Sequence, residues 1–332
     1  MKAFGRTQAE ARGTLLVLLA IAVVLQPTAI ALGRQTLAAL GAGADTYGLW
    51  DGYVSRARAP DVLFVGDSRV RADIDTAGIA ELLSKPGDAV SKLGISNGQP
   101  AFLGALVERV LDRPTKPRLV VYGLSEFQFN DRLTLDATAD YWAISEPISV
   151  KHIERAITRS TDRGRLLRGW AIPALANDRV LWLGVNCWWE RRRAPDACTD
   201  PARFATHLMT ATDEATILEM YRQDLRDYQH STTQEHYLTE LITAAQTQGV
   251  TVALMIPPVW GIDELYPGLY DAYLARMETI AKRHGVGLLD LHTAIRNDRT
   301  SWADPSHLNV VGARALAPML SRFVVDRLSG KP

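Results

Sequence analysis

The sequence predicts an α/β protein: a three-layer, doubly wound, mostly parallel sheet with a large, mostly helical insertion, preceded by an N-terminal transmembrane helix. Three observations carry this. Five apolar runs of strand length recur along the chain, and segments of helical periodicity lie between them, the alternation expected of parallel sheets. One stretch near the amino terminus is both long and uncharged.

That stretch, Thr14 to Gly33, runs 20 residues without a charge. As a helix it would span about 30 Å, the thickness of a bilayer core. Lys2, Arg6 and Arg12 precede it with only Glu10 opposing, so the positive-inside rule keeps a tail at 1–13 cytoplasmic and exports the rest. The alternative is a cleaved signal peptide, with Leu15 to Leu25 as its apolar run and Ala29-Ile30-Ala31 resembling a cleavage site. Both place the chain beyond about residue 35 outside the cytoplasm. The anchored form is a single-pass inner-membrane protein held at 14–33, with a linker at 34–59 and a periplasmic domain at 60–328.

In that domain Asp61 to Val65, Ala89 to Leu93, Arg118 to Tyr122, Thr251 to Ile256 and Gly287 to Leu291 read as strands. Pro100 to Leu111 carries apolar residues at helical spacing. Leu241 to Gln248 closes at Gly249 and Tyr266 to His284 at Gly285, both C-cap glycines. Asn309 to Leu328 forms a last helix with Leu316, Leu320, Phe323 and Val324 on one face.

Between the third and fourth strands lies far more chain than a crossover needs, giving an insertion or cap at about 127–235. It holds five of the eight tryptophans, and it segregates charge. Lys151 to Arg203 has eleven Lys and Arg against six acids, whereas Asp213 to Glu240 has seven acids against two arginines. The basic part could face an anionic glycan, lipid headgroups or a partner; the balancing reading is that the acidic part neutralises it within one cap. Cys187 and Cys198 are the only cysteines and fall in this exported segment, where a disulfide between them is expected. Over the whole chain 37 basic residues balance 37 acidic ones, which argues against a nucleic-acid partner.

Ligands of doubly wound sheets bind beyond the carboxyl ends of the strands, and three polar blocks fall there. Gly66-Asp67-Ser68-Arg69 follows the first strand. Its glycine permits a tight turn that would lift Ser68 to the start of the next element, hydroxyl exposed and N–H available to an oxyanion. A plain turn or N-cap is the competing reading. Asp304-Pro305-Ser306-His307-Leu308-Asn309 precedes the last helix. Across a turn, Asp304 can hold one imidazole nitrogen of His307 while the other takes a proton from Ser68, as nucleophilic catalysis requires. Gly94-Ile95-Ser96-Asn97-Gly98-Gln99-Pro100 follows the second strand, and its backbone N–H groups at Asn97 or Gly98 suit an oxyanion hole.

Taken together and in this order, the three blocks resemble the SGNH (GDSL-type) hydrolase superfamily, over about residues 60 to 125 and 250 to 328. The resemblance implies Ser68 as nucleophile, Asp304 and His307 as the rest of a triad, and N–H groups of Ser68 and of Asn97 or Gly98 in the oxyanion hole. Many members have Gly-x-Asn-Asp after the third strand; here Gly123-Leu124-Ser125-Glu126 stands there. Ser125 donates instead, or Asn97 does, or the third donor is missing. The Ser68-Arg69 and His307-Leu308-Asn309 blocks are similar to a membrane-anchored branch that assists O-acylation of alginate, cellulose and teichoic acids. That likeness implies an O-acyltransferase or O-acyl esterase acting on a cell-envelope glycan, served by a multi-spanning membrane acyltransferase partner. A catalytically silent glycan-binding or assembly subunit is the second reading.

Remaining candidates are secondary. His292, two residues after Asp290, is a rival base. Trp260 shapes a pocket wall or stacks on a sugar, and Arg69 and Ser125 are further substrate-binding candidates. The other histidines form no ligand cluster, so neither metal nor cofactor is expected.

Overall fold

The computed structural model describes residues 53, 56–95, 97–133 and 205–330, all within one compact unit formed by Asp45–Thr138 and Asp200–Pro332. Five parallel strands, β1 (Val62–Gly66), β2 (Val90–Gly94), β3 (Leu119–Gly123), β4 (Thr251–Ile256) and β5 (Gly287–Asp290), make one sheet in the order β2-β1-β3-β4-β5. The order reverses between β1 and the β2 and β3 strands on either side of it. This is the switch point at which such sheets open a crevice. β1 and β3 are buried along their whole length, which is why they read as continuous apolar runs rather than alternating ones.

The helices are α1 (Ser68–Asp73), α2 (Thr76–Leu82), α3 (Pro100–Leu111), α4 (Ala211–Asp224), α5 (Thr232–Thr247), α6 (Ile262–Leu265), α7 (Leu269–His284) and α8 (Val310–Leu328). Side chains alternate across a strand, and the two faces are covered by different helices. Val62, Phe64, Val121 and Met255 pack with Ile79 of α2 and Leu316, Leu320 and Val324 of α8. On the other side α5 packs on α3 and β4, and α7 on α5 and β5. The result is three layers. α3 starts with Pro100 at its first turn, where a missing N–H costs nothing. α7 ends at Gly285 in the left-handed conformation, φ 62°.

The acidic stretch forms two helices, α4 and α5. Thr210 and Asp213 close a reciprocal capping box at the start of α4, and Ser231 caps α5. Its acids pair with the sheet unit: Glu214 with Arg299 at 2.7 Å and Glu235 with Arg276 at 3.1 Å. At the other end of the expected insertion, Glu126 to Phe129 form a buried 3₁₀ turn against the sheet. The basic stretch from 151 to 203, the Cys187–Cys198 pair and the candidate anchor at 14–33 lie outside the described residues. Among the described residues no helix is long and apolar enough to cross a membrane.

Candidate active site

α1 lies across the carboxyl ends of three strands, and glycine makes this possible. A Cβ on Gly94 would come within 2.3 Å of the Arg71 backbone N, and one on Gly123 within 2.2 Å of Val70 Cγ2. Each strand therefore ends on the residue that lets the helix settle. Asp67 caps α1: its Oδ1 accepts the Arg69 N–H at 2.9 Å and its Oδ2 the Ser125 hydroxyl at 2.6 Å. Ser68 is the first helical residue, so its N–H has no acceptor within the helix.

Asp304 and His307 sit opposite each other on a two-stranded antiparallel hairpin, β6 (Trp302–Asp304) and β7 (His307–Leu308), joined by Pro305 and Ser306. His307 Nδ1 lies 3.0 Å from both Asp304 oxygens and its Nε2 lies 2.9 Å from Ser68 Oγ. A proton on Nδ1 donates to the carboxylate, leaving Nε2 to accept from the serine hydroxyl. The hairpin is tightly held. Ser306 N–H donates to Asp304 Oδ1 at 2.7 Å, Trp260 N–H donates to the Pro305 carbonyl at 3.0 Å, and the Tyr221 and Ser306 hydroxyls are hydrogen-bonded to each other. Asn309 caps α8 through its oxygen, while its amide nitrogen donates to the Thr300 carbonyl at 2.8 Å.

Ser68 and His307 open onto a cavity of about 330 Å³. Phe127, Leu133, Met220 and Tyr221 give it an apolar wall, and Asn97, Gln128 and Asp224 bring polar atoms to it. Burial pushes the Asp224 carboxyl up and pushes the Tyr221 phenol well above its ordinary range. Arg69 also lines the cavity, 2% exposed, with its Nη1 3.3 Å from Glu126 Oε2 and its guanidinium 5.4 Å from the Phe127 ring centre. Burial alone would disfavour the charge of this guanidinium; Glu126, with Asp67 and Asp73, outweighs it and raises the pKa.

Several expected roles change. Ser125 is fully buried and gives its hydroxyl to Asp67, so it does not reach the cavity as a substrate or oxyanion donor. Gly98 donates its N–H to the Ile95 carbonyl at 2.9 Å, closing the loop rather than serving an oxyanion. Asn97 does line the cavity, held in the left-handed region at φ 55°, a conformation asparagine tolerates. Trp260 does not: its indole packs on Trp302 with ring centres 5.8 Å apart and donates to Glu214 at 2.9 Å. His292 bonds Asp263 at 2.8 Å through Nε2 and stacks on Tyr270, while Ser68 faces His307. Glu126, Tyr221 and Met220 were not singled out from the sequence. Glu126 stood in the altered third block; the other two carry no local signal beyond helix periodicity. Among the described residues no cluster of three or more His, Cys, Asp or Glu is arranged to hold a metal ion.

No family model and no curated protein matches the chain. Among solved structures it is similar to a Bacteroides fragilis protein provisionally called an acylhydrolase, at 11% identity, covering 84% of this chain and 94% of that one, with a TM-score of 0.39. A Streptococcus pneumoniae protein provisionally called a platelet activating factor is similar at 13% identity, 94% and 99% coverage and a TM-score of 0.36. At such identities and scores neither likeness bears on function.

Proposed function

We propose that this chain is an extracytoplasmic serine enzyme of the SGNH type, an O-acyl esterase or O-acyltransferase acting on a cell-envelope polysaccharide through an acyl-enzyme at Ser68. One observation carries the reading: the unbroken hydrogen-bonded series Asp304, His307, Ser68 at the mouth of a cavity. Ser68 Oγ attacks an ester carbonyl and passes its proton to His307 Nε2. The oxyanion that forms meets the Ser68 N–H, free of intrahelical bonding, and Asn97, which lines the same cavity, is the candidate for a second donor. Collapse breaks the bond to the alkoxy oxygen, which takes the proton from His307 and leaves as an alcohol. Water or a sugar hydroxyl then gives its proton to His307 and attacks the acyl carbon; the acyl–Oγ bond breaks and His307 returns the proton to Ser68 Oγ. Asp304 stabilises the imidazolium at both stages.

An anchor at 14–33, as read from the sequence, would hold this exported chemistry at the membrane surface. No cytosolic thioester pool is available there, so a transferase would take its acyl group from a multi-spanning membrane acyltransferase partner. The silent-subunit reading has one observation in its favour: Ser125 and Gly98, two of the candidate oxyanion donors, are engaged elsewhere. A fluorophosphonate probe and an activated acyl ester separate the two. Labelling at Ser68, lost in Ser68→Ala, is expected; an unlabelled wild-type protein would leave only the binding role. Transfer of labelled acyl to glycan faster than to water would mark a transferase.

A further inference from the structure

Ser68 and His307 lie 239 residues apart in sequence, yet their reacting atoms are held at 2.9 Å. Much of the hairpin's own bonding is local or runs to Trp260 and α4, elements that do not carry the serine. A direct polar link between the nucleophile helix and the base-bearing strand is made by a residue outside the triad. Asp73 is the last residue of α1, the helix that Ser68 begins, and is 0% exposed. Its Oδ1 accepts the N–H of Leu308, the residue after His307, at 2.8 Å. Its Oδ2 is buried with no partner. Lys92 fixes the same turn from β2, donating from Nζ to the Arg71 carbonyl at 2.5 Å and the Ile74 carbonyl at 2.6 Å.

We propose that Asp73 is a positioning residue for acyl transfer: it ties α1 to β7 and so sets the distance between Ser68 Oγ and His307 Nε2. The proposal rests on the reading of Ser68 as nucleophile. A fully buried carboxyl with one oxygen unpartnered is costly to keep, and an apolar residue would fill the same volume at less expense. What the carboxyl supplies is an acceptor for one backbone N–H beside the catalytic imidazole. Burial holds Asp73 well above the ordinary carboxylate range, with Arg69 and the Leu308 N–H opposing and Asp67 and Asp304 reinforcing that shift. Asparagine matches Asp73 in shape and keeps an oxygen that can accept the Leu308 N–H. A misplacement of about 1 Å between reacting groups can cost on the order of 100-fold in rate.

The test measures the rate of fluorophosphonate labelling and kcat and KM for an activated acyl ester, with Tm as a check on folding. Asp73→Ala is expected to slow labelling and lower kcat by roughly 10- to 100-fold with KM within about twofold. Asp73→Asn is expected to label within about threefold of wild type, since its amide oxygen keeps the acceptor for the Leu308 N–H. If the alanine variant does not fold, Asp73→Ser, whose hydroxyl falls short of Leu308, carries the same expectation. Labelling of a folded Ala or Ser variant within about twofold of wild type would overturn the proposal. So would an Asn variant as slow as alanine at unchanged Tm. A wild-type protein that takes no label overturns the nucleophile reading instead, so the two failures are told apart.

Discussion

Replacing Glu126 by alanine tests the electrostatics around the nucleophile. Arg69 and Glu126 form an ion pair whose side chains are only 3% and 1% exposed, so neither charge is appreciably hydrated. Breaking a buried pair by removing one partner costs about 3–5 kcal/mol, because the charge left behind keeps its desolvation penalty. Two local effects set where in that range the value falls. The pair has a single contact, at 3.3 Å, and Glu126 Oε1 has no partner, so the geometry is imperfect. Arg69 also keeps Phe127 and the attraction of Asp67 and Asp73 after the change, the ring contact being worth on the order of 1 kcal/mol or more when desolvated. The lower end, about 3 kcal/mol, is therefore expected. For a domain of this class that is a fall in Tm of roughly 6–12 °C. Urea denaturation at fixed m-value is the assay. A double variant, Arg69→Met with Glu126→Leu, should recover most of the loss, since apolar replacement of a buried pair is often neutral or stabilising. A loss below about 1 kcal/mol in Glu126→Ala would refute the reasoning, because it would mean that the guanidinium had found water or another anion.

Two further outcomes follow from the same frame. Lys92 is partly buried, its ammonium set on the Arg71 and Ile74 carbonyls, and desolvation lowers it from 10.5 to about 8. The unfolded chain thus holds this proton more tightly than the folded one, so stability rises with pH between about 8 and 10.5, by roughly 2 kcal/mol from pH 7.5 to 9.5. Lys92→Met should remove that slope in denaturation curves taken at the two pH values; an unchanged slope assigns it elsewhere. Ser125→Ala leaves the Asp67 oxygen without its 2.6 Å donor, and the lost bond to a charged group is worth about 1.5–3 kcal/mol. Because Asp67 caps the helix that Ser68 begins, the variant should label more slowly with fluorophosphonate than its Tm alone would suggest. Wild-type labelling at a reduced Tm would confine Ser125 to stability.

The central strands were readable because β1 and β3 are buried along their whole length, and β4 in all but its first residue, and so spell short apolar runs; the helices ended where Gly249 and Gly285 adopt positive φ. Strand ends shifted by a residue, as at β1, which closes on Gly66 rather than Val65. The Ser68, Asp304 and His307 blocks were readable because each sits at a chain reversal of fixed chemistry: a strand-to-helix turn and a tight hairpin. Ser125 and Gly98, two of the donors left open by the sequence, are engaged elsewhere, because sequence spacing cannot say which acceptor an N–H or hydroxyl will meet. Ser125 meets Asp67 at 2.6 Å and Gly98 meets the Ile95 carbonyl at 2.9 Å.

By itself the sequence determined which residues could do chemistry, the alternation that makes a parallel sheet, and the uncharged stretch that argues for export. These are local properties, set by periodicity and by neighbours a few positions away. Only the tertiary structure decided how the site is held and what lines it. Asp73 reaches Leu308 across 235 residues, Arg69 reaches Glu126 across 57, and Tyr221 meets Ser306 across 85. Such contacts arise from packing three layers against one another, and no pattern along the chain encodes which distant partner a buried charge will find.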